Sequence, residues 1–295
     1  MAIPAQLTAA QETVPQETVP QEDVPGTGAV AGGWAGAEAG GLRSVSIATC
    51  VLRCFTEHAE LGPTVVAREL GVAKSTAFHA LAALATAGLL ERTPAGRYRL
   101  SLSLFHYGQL ALDRLPLRAL ARPAMMELNN SLRLMIQLGL PSGGHVMYVE
   151  RIGHDGLGPL VIGEVVHRVA GYASSAGRAM AAFDPAIARA MLRVPRVKHT
   201  PFTVTDTDRL ERILATTRAS GWVSSREESA LGYSSVAAPV LAPDGAPGPR
   251  VAGAISAVGR TPMVSGPRKD FVVATVRRAA QQVTRLLAQS QLPEH

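Results

Sequence analysis

The stretch KSTAFHALAALATAGLLERTPAGRYRL, residues 74 to 100, changes its period halfway along. Its first half carries Lys74, Ser75 and Thr76 on an opening turn, then apolar residues at helical spacing, with Ala77, Leu81, Leu84 and Leu90 toward a core. Gly88 supplies a stop. Its second half alternates, turns at Thr93-Pro94-Ala95-Gly96, and bears arginine on both arms, which is the pattern of a hairpin. Just upstream, Thr64 to Leu70 form a short helical segment with Pro63 ahead of it and Gly71 behind it. Two short helices joined across Gly71-Val72-Ala73 predict a helix-turn-helix, and the hairpin adds a wing. A further amphipathic helix, SVSIATCVLRCF, precedes them with Ile47, Val51, Leu52 and Phe55 on one face.

The major groove of DNA admits one helix, whose first turns meet the base edges. Lys74, Ser75, Thr76, Phe78 and His79 offer a cation, short donors and an apolar group for a thymine methyl, while Ala73 and Ala77 permit close approach. Arg92, Arg97 and Arg99 on the hairpin are placed to meet phosphates or a neighbouring minor groove. The expected partner of this unit is double-stranded DNA.

Charge agrees without deciding the matter. The 295 residues carry a net +6, with a sequence pI near 9.8. Residues 1–42 hold −5, residues 43–107 hold +3, and the remainder holds +8. Hydrophobic residues make up 47% of the chain, enough for a buried core. The start lacks the basic and apolar regions of a secretory signal, and no apolar run reaches the ~18 residues that cross a bilayer. Cys50 and Cys54 are too few for a disulfide framework. A cytoplasmic protein without membrane contact is expected.

Four regions follow. Residues 1–42 contain the repeat QETVP-QETVP-QEDVP and a Gly/Ala-rich run, and are expected to be a disordered acidic tail. Residues 43–105 form the winged helix-turn-helix. Residues 106–130 read as a linker helix interrupted near Pro116 and Pro123. Residues 131–290 alternate strand and helix signals. LRLMIQLGL and HVMYVERI flank a hairpin at Pro141-Ser142-Gly143-Gly144, and PLVIGEVV reads as another strand. SAGRAMAAF, PAIARAML and TDTDRLERILATTRASGW read as helices, the last with Leu210, Ile213 and Leu214 on one face. SSVAAPVLAP and RVAGAISAVG read as strands joined across Asp244-Gly245, and a final helix runs from about Lys269 to Gln289. The fold class is α+β, with a mostly antiparallel sheet in the second domain.

The run TVVARELGVAKSTAFHALAALATAGLLERTPAGRYRL (64–100) resembles the winged helix-turn-helix of IclR-type bacterial transcription regulators. RVAGYASSAGRAMAAF, TDTDRLERILATTRASGW, REESALGYSSVAAPV and VAGAISAVG follow the order of that family's effector-binding domain, so the resemblance spans about Val45 to Leu287. It implies a GAF/PAS-like second domain and a homodimer, or dimer of dimers, on a palindromic operator. It also implies a small-molecule effector, with repression the expected sign and activation open. The effector site it implies lies among Ser174, Ser175, Ala176 and Gly177, the strand with Ser235, the strand with Ser256, and Ser225. Ser225 stands where some relatives carry aspartate, Ser235 where many carry cysteine, and Val258 where a second serine is common. These departures suggest an effector larger or less polar than a short keto acid. Physically, serines and backbone N–H groups at a helix start suit an anion.

Other signals carry less. Cys50 and Cys54 at i, i+4 have no further ligand at zinc spacing and read as core residues. His145, His154 and His167 are scattered, and the loop Gly153–Gly158 lacks the setting of a phosphate cradle. Ser174-Ser175 and Ser234-Ser235 sit in no Gly-x-Ser-x-Gly elbow, so neither an enzyme nor a cofactor is expected. The alternative reading is a winged helix that binds a protein partner, with a vestigial ligand pocket.

Overall fold

The computed structural model describes residues 42–153, 167–242 and 250–290. The acidic tail up to residue 41, the strand expected at 159–166, the loop from residue 154 and the Asp244-Gly245 join lie outside the described residues. The chain divides into two compact units between His106 and Tyr107.

The first unit contains α1 (Arg43–Cys54), α2 (Pro63–Leu70) and α3 (Lys74–Thr86), then β1 (Leu90–Arg92) and β2 (Tyr98–Leu100). Pro63 takes the first helical position of α2, where its missing N–H costs nothing, and Gly71 ends the helix at φ +63. β1 and β2 pair antiparallel, and Leu61 makes an isolated antiparallel bridge to Tyr98. Ile47, Val51, Leu61, Val66, Ala77, Leu81, Leu84, Leu90 and Tyr98 form one core. Each fully buried aliphatic side chain there contributes about 1.5–3 kcal/mol. Leu90 is buried as expected, but from β1: α3 ends at Thr86, and Gly88 at φ +75 turns the chain into the wing. Cys54 belongs to this core. Burial, reinforced by a hydrogen bond and the negative charge of Glu69, pushes its thiol up to about 12, which keeps it an unreactive thiol at neutral pH.

α4 (Ser103–Asp113) and α5 (Pro116–Leu132) follow. The break expected at two prolines occurs at one. Pro116 starts α5, whereas Pro123 lies inside it. The reason is packing. Leu117, Ala121, Met125, Leu128 and Leu132 are buried in the core of the second unit, and that burial outweighs the hydrogen bond Pro123 removes. α5 is thus a core helix.

The second unit is built on one six-stranded sheet: β3 (Met135–Ser142), β4 (His145–Ile152), β5 (His167–Ala170), β6 (Val223–Arg226), β7 (Tyr233–Ala242) and β8 (Arg250–Arg260). Its order is β5-β4-β3-β8-β7-β6, and every pairing is antiparallel. α5 and α10 (Lys269–Ser290) cover one face through Ile136, Leu138, Val236, Ile255, Val276 and Val283. α6 (Ser175–Phe183) covers the other through Ala176, Ala179 and Met180. α7 (Pro185–Arg193) and α8 (Thr207–Ser220) pack beyond it, capped by Asp184 and Asp206. A short helix, α9 (Thr261–Ser265), precedes α10.

Candidate DNA and effector sites

The start of α3 is left open by its own sequence. Its N-cap is Ala73, which makes no side-chain cap, and its first turn holds no acid. The first N–H groups and the positive end of the helix dipole therefore remain for an external acceptor. Lys74, Ser75, Phe78 and His79 are exposed, and Thr76 is half-buried. Phe78, which sequence alone could not separate from core, is 45% exposed and meets the His79 ring edge-on at 5.7 Å. Buried Ala77 and Leu81 hold this surface outward.

The three wing arginines differ. Arg99 donates twice to Glu91 Oε2, at 2.9 and 3.1 Å. Arg97 donates to the Glu60 carbonyl at 2.7 Å. Arg92 is exposed and makes no ion pair or hydrogen bond among the described residues.

In the second unit, strand register sorts the expected effector residues onto one face. β6, β7, β8 and β3 align Ser225 with Ser235, Val258 and Met135 in one row. The next row aligns Val223, Ala237, Ser256 and Gln137, continuing to Arg151 on β4. α6 starts against this face. Ser174 caps it by accepting from the Gly177 N–H at 3.0 Å, which uses one donor that sequence reasoning left for a ligand. Ser175 and Ser235 share a hydrogen bond of 2.7 Å. Ser225 donates to the Ala173 carbonyl at 3.4 Å, shared with Ser229 at 2.7 Å. Ala176 and Gly177 are buried and serve packing. Gly177 is required because a Cβ there would collide with the backbone of Gly171.

Ser256 Oγ is fully buried and makes no hydrogen bond of ordinary geometry. The Tyr148 hydroxyl faces it and Ser174; burial holds that phenol above its usual pKa, and these two hydroxyls oppose the shift. The Gln137 amide is buried and donates to Met135 Sδ at 3.7 Å. The Arg151 guanidinium stands 5.7 Å from the Tyr148 ring centre. Met135 and Tyr233 pack together at the apolar end. Gln137, Tyr148 and Arg151 escaped sequence reasoning because each sits in a strand whose partner register was unknown. Alternation along LRLMIQLGL was the available signal, since it puts Gln137 opposite Ile136 and Leu138.

A second feature braces this face. Buried Arg178 on α6 forms a two-pronged ion pair with Glu228 and donates to the Tyr172 carbonyl at 2.8 Å. Glu228 also accepts from the Val204 N–H at 3.1 Å. The pair fixes the turn that leads into Ser174.

A winged helix with an open recognition helix, followed by an α+β unit with a buried hydroxyl-lined face, defines a ligand-responsive DNA-binding regulator. Comparison with known proteins agrees. Residues 44–94 match the IclR helix-turn-helix domain and residues 109–285 match the bacterial transcriptional regulator IclR C-terminal domain. The chain belongs to the IclR family of bacterial transcriptional regulators. It is 31% identical over 252 residues to the glycerol operon regulatory protein of Streptomyces coelicolor, covering 83% of this chain and 96% of that one. An IclR homolog from Microbacterium hydrocarbonoxydans, solved with 4-hydroxybenzoate, superposes with TM-score 0.65 at 25% identity, over 83% of this chain and 98% of that one. A putative IclR regulator from Silicibacter sp. TM1040 shares the fold with TM-score 0.71 at 24% identity, over 83% and 96%. Among the described residues no helix is long and apolar enough to cross a membrane.

Proposed function

We propose that this regulator represses its targets by binding a two-fold-symmetric operator as a dimer or dimer of dimers, and that an organic effector entering the face around Ser256 changes its grip on DNA. The observation that carries the DNA reading is the uncapped, acid-free start of α3, with Lys74, Ser75, Phe78 and His79 outward. Thr76 and His79 read bases, and Arg92 takes a phosphate. Control of an operon is supported by the similarity to the glycerol operon regulatory proteins of two Streptomyces species; repression is the sign proposed for it.

The effector carries a hydroxyl or carboxylate for Ser256, Gln137 and Tyr148, and an apolar body for Met135, Val258 and Tyr233. That makes it larger than a two- or three-carbon keto acid. The 4-hydroxybenzoate bound by a relative has this character. Selection of the full chain on randomised duplexes near physiological salt is expected to enrich a palindrome. A thermal-shift screen on the same preparation is expected to favour hydroxylated aromatic or medium-chain acids over glyoxylate and pyruvate. Preference for glyoxylate or pyruvate would overturn the effector assignment. A folded protein that enriched no motif, with and without the stabilising compound, would overturn the operator reading.

A further inference from the structure

The second unit has a cleft that shares no residue with the face around Ser256. β6 pairs with Ser234–Ala237 of β7, so among the described residues Ala238–Ala242 continue past the end of β6 without a strand on that side. A cavity of about 320 Å³ opens there, between β7 and α10. Phe183, Pro239 and Leu241 form its apolar side, and Arg277, Gln281 and Arg285 line it from α10. Such a volume lies at the lower end of small-molecule sites.

Two properties define what the cleft accepts. The first is charge. Among the described residues the side chains of Arg277 and Arg285 make no ion pair or hydrogen bond; Arg277 is half-buried and Arg285 exposed. Lys269, Arg277, Arg278 and Arg285 on α10 face a single acid of that helix, Asp270. The spacing i, i+4, i+8 sets Arg277, Gln281 and Arg285 on one stripe, spanning about 12 Å along the axis. Taking a guanidinium partly out of water without a counter-charge is costly, and an anion reverses that cost. The second is the edge itself. An open strand edge is normally a place for another strand to add. Here Pro239 has no N–H to give, and the Leu241 N–H already donates to Thr284 Oγ1 at 3.0 Å. The cleft is thereby closed to a β-strand and, among the described residues, open to a small molecule.

We propose that this cleft is a second ligand site of the regulator, taking a small organic carboxylate whose charge meets Arg277 and Arg285 and whose hydrocarbon part covers Phe183 and Leu241. A ligand there touches β7 and α10 together, and β7 also carries Ser235 of the first site. Occupancy can thus bias the same sheet that carries the effector face.

The test uses the full chain and hexanoate as probe, followed by calorimetry and, in a Trp34→Phe background where Trp222 is the one tryptophan left, by tryptophan fluorescence. Trp222 adjoins Gly221, which borders the cleft. The face around Ser256 also accepts a carboxylate with an apolar body, so the expected result is two saturable hexanoate sites per chain, and the one beside Trp222 is the one that fluorescence reads. The double substitution Arg277→Ala/Arg285→Ala should weaken it by about tenfold or more, the loss of charge-assisted hydrogen bonds, while Ser256→Val leaves it within about twofold. Arg277→Lys/Arg285→Lys, which keeps the charge, should recover part of the binding. The proposal is overturned if the alanine variant, shown to melt normally, binds as well as the parent, or if Ser256→Val abolishes the signal. Inorganic phosphate matching hexanoate would overturn the carboxylate-with-apolar-body assignment. Absence of saturable binding in the folded parent would overturn the site.

Discussion

Arg92, Arg97 and Arg99 share one hairpin, yet their surroundings give them different work. Arg99 is held by Glu91 and Arg97 by Glu60, both in exposed pairs that are individually worth ~0–1 kcal/mol. Either can exchange its carboxylate for a phosphate, but the exchange returns little. Arg92 gives up no partner among the described residues and gains a whole contact. Arg92→Ala should therefore weaken binding to specific and random duplexes alike and flatten the plot of log affinity against log salt by about 0.9, one released counterion. Arg99→Ala should have less than half that effect. Electrophoretic mobility shifts at four salt concentrations measure both, and a change in base preference on removing Arg92 would contradict its assignment as a phosphate contact. Ser256 makes the complementary point. A hydroxyl buried without a hydrogen bond of ordinary geometry costs stability, and the one at the centre of the expected effector face is where a ligand atom would recover it.

The start of α6 is set by three glycines acting together. Gly144, at φ +82, turns β3 into β4; its carbonyl accepts from the Gly171 N–H at 3.1 Å; and Gly177 lies directly over Gly171. A methyl group at 177 has nowhere to go but into that backbone, so α6 must move away from the turn that carries Ser174. Gly177→Ala should cost about 1–3 kcal/mol, lower the melting of the second unit and abolish stabilisation by the effector, while the first unit keeps its operator preference. An unchanged melting curve would show that α6 tolerates the shift. The chain order SSAG places Gly177 in the expected effector site, but its contact with Gly171 is not visible in that order. The same limit explains the other differences. Helices announced themselves by apolar spacing and by Pro63, Gly71 and Gly221 at their ends, because those signals act within a few residues. The Arg178–Glu228 pair spans 50 positions, and the row joining Ser256 to Gln137 and Arg151 depends on which strands are neighbours. Such partnerships are created by topology, and no local pattern encodes them. Pro123 misled for a related reason: a local helix breaker was outvoted by the burial of Met125 and Leu128.

At the scale of the whole molecule, the remaining question is how one recognition helix reads an operator. A single wing and helix cover only a few base pairs, and the affinity of one such unit is modest. The chain presents an apolar surface suited to joining a second copy. In the first unit, Leu102 beside α4 is 84% exposed and Phe105 on it 69%, and Leu42 and Val45 are exposed beside and on α1. No residue of α4 is buried; Leu112 near its end packs against the core of the second unit, while Phe105 near its start stays exposed. Surface of that kind normally marks an interface. If α4 of one copy packs on another, two recognition helices act as one ligand, and the second binds at a high effective concentration set by the first. Replacing Leu102 and Phe105 by glutamate should then convert the protein to a monomer in sedimentation velocity runs. It should lower affinity for a palindrome by about 10²-fold and leave affinity for an isolated half-site nearly unchanged. The two measurements separate assembly from folding, since a misfolded first unit would lose the half-site as well. A variant that stayed dimeric, with palindrome binding intact, would place the dimer contact elsewhere on the chain.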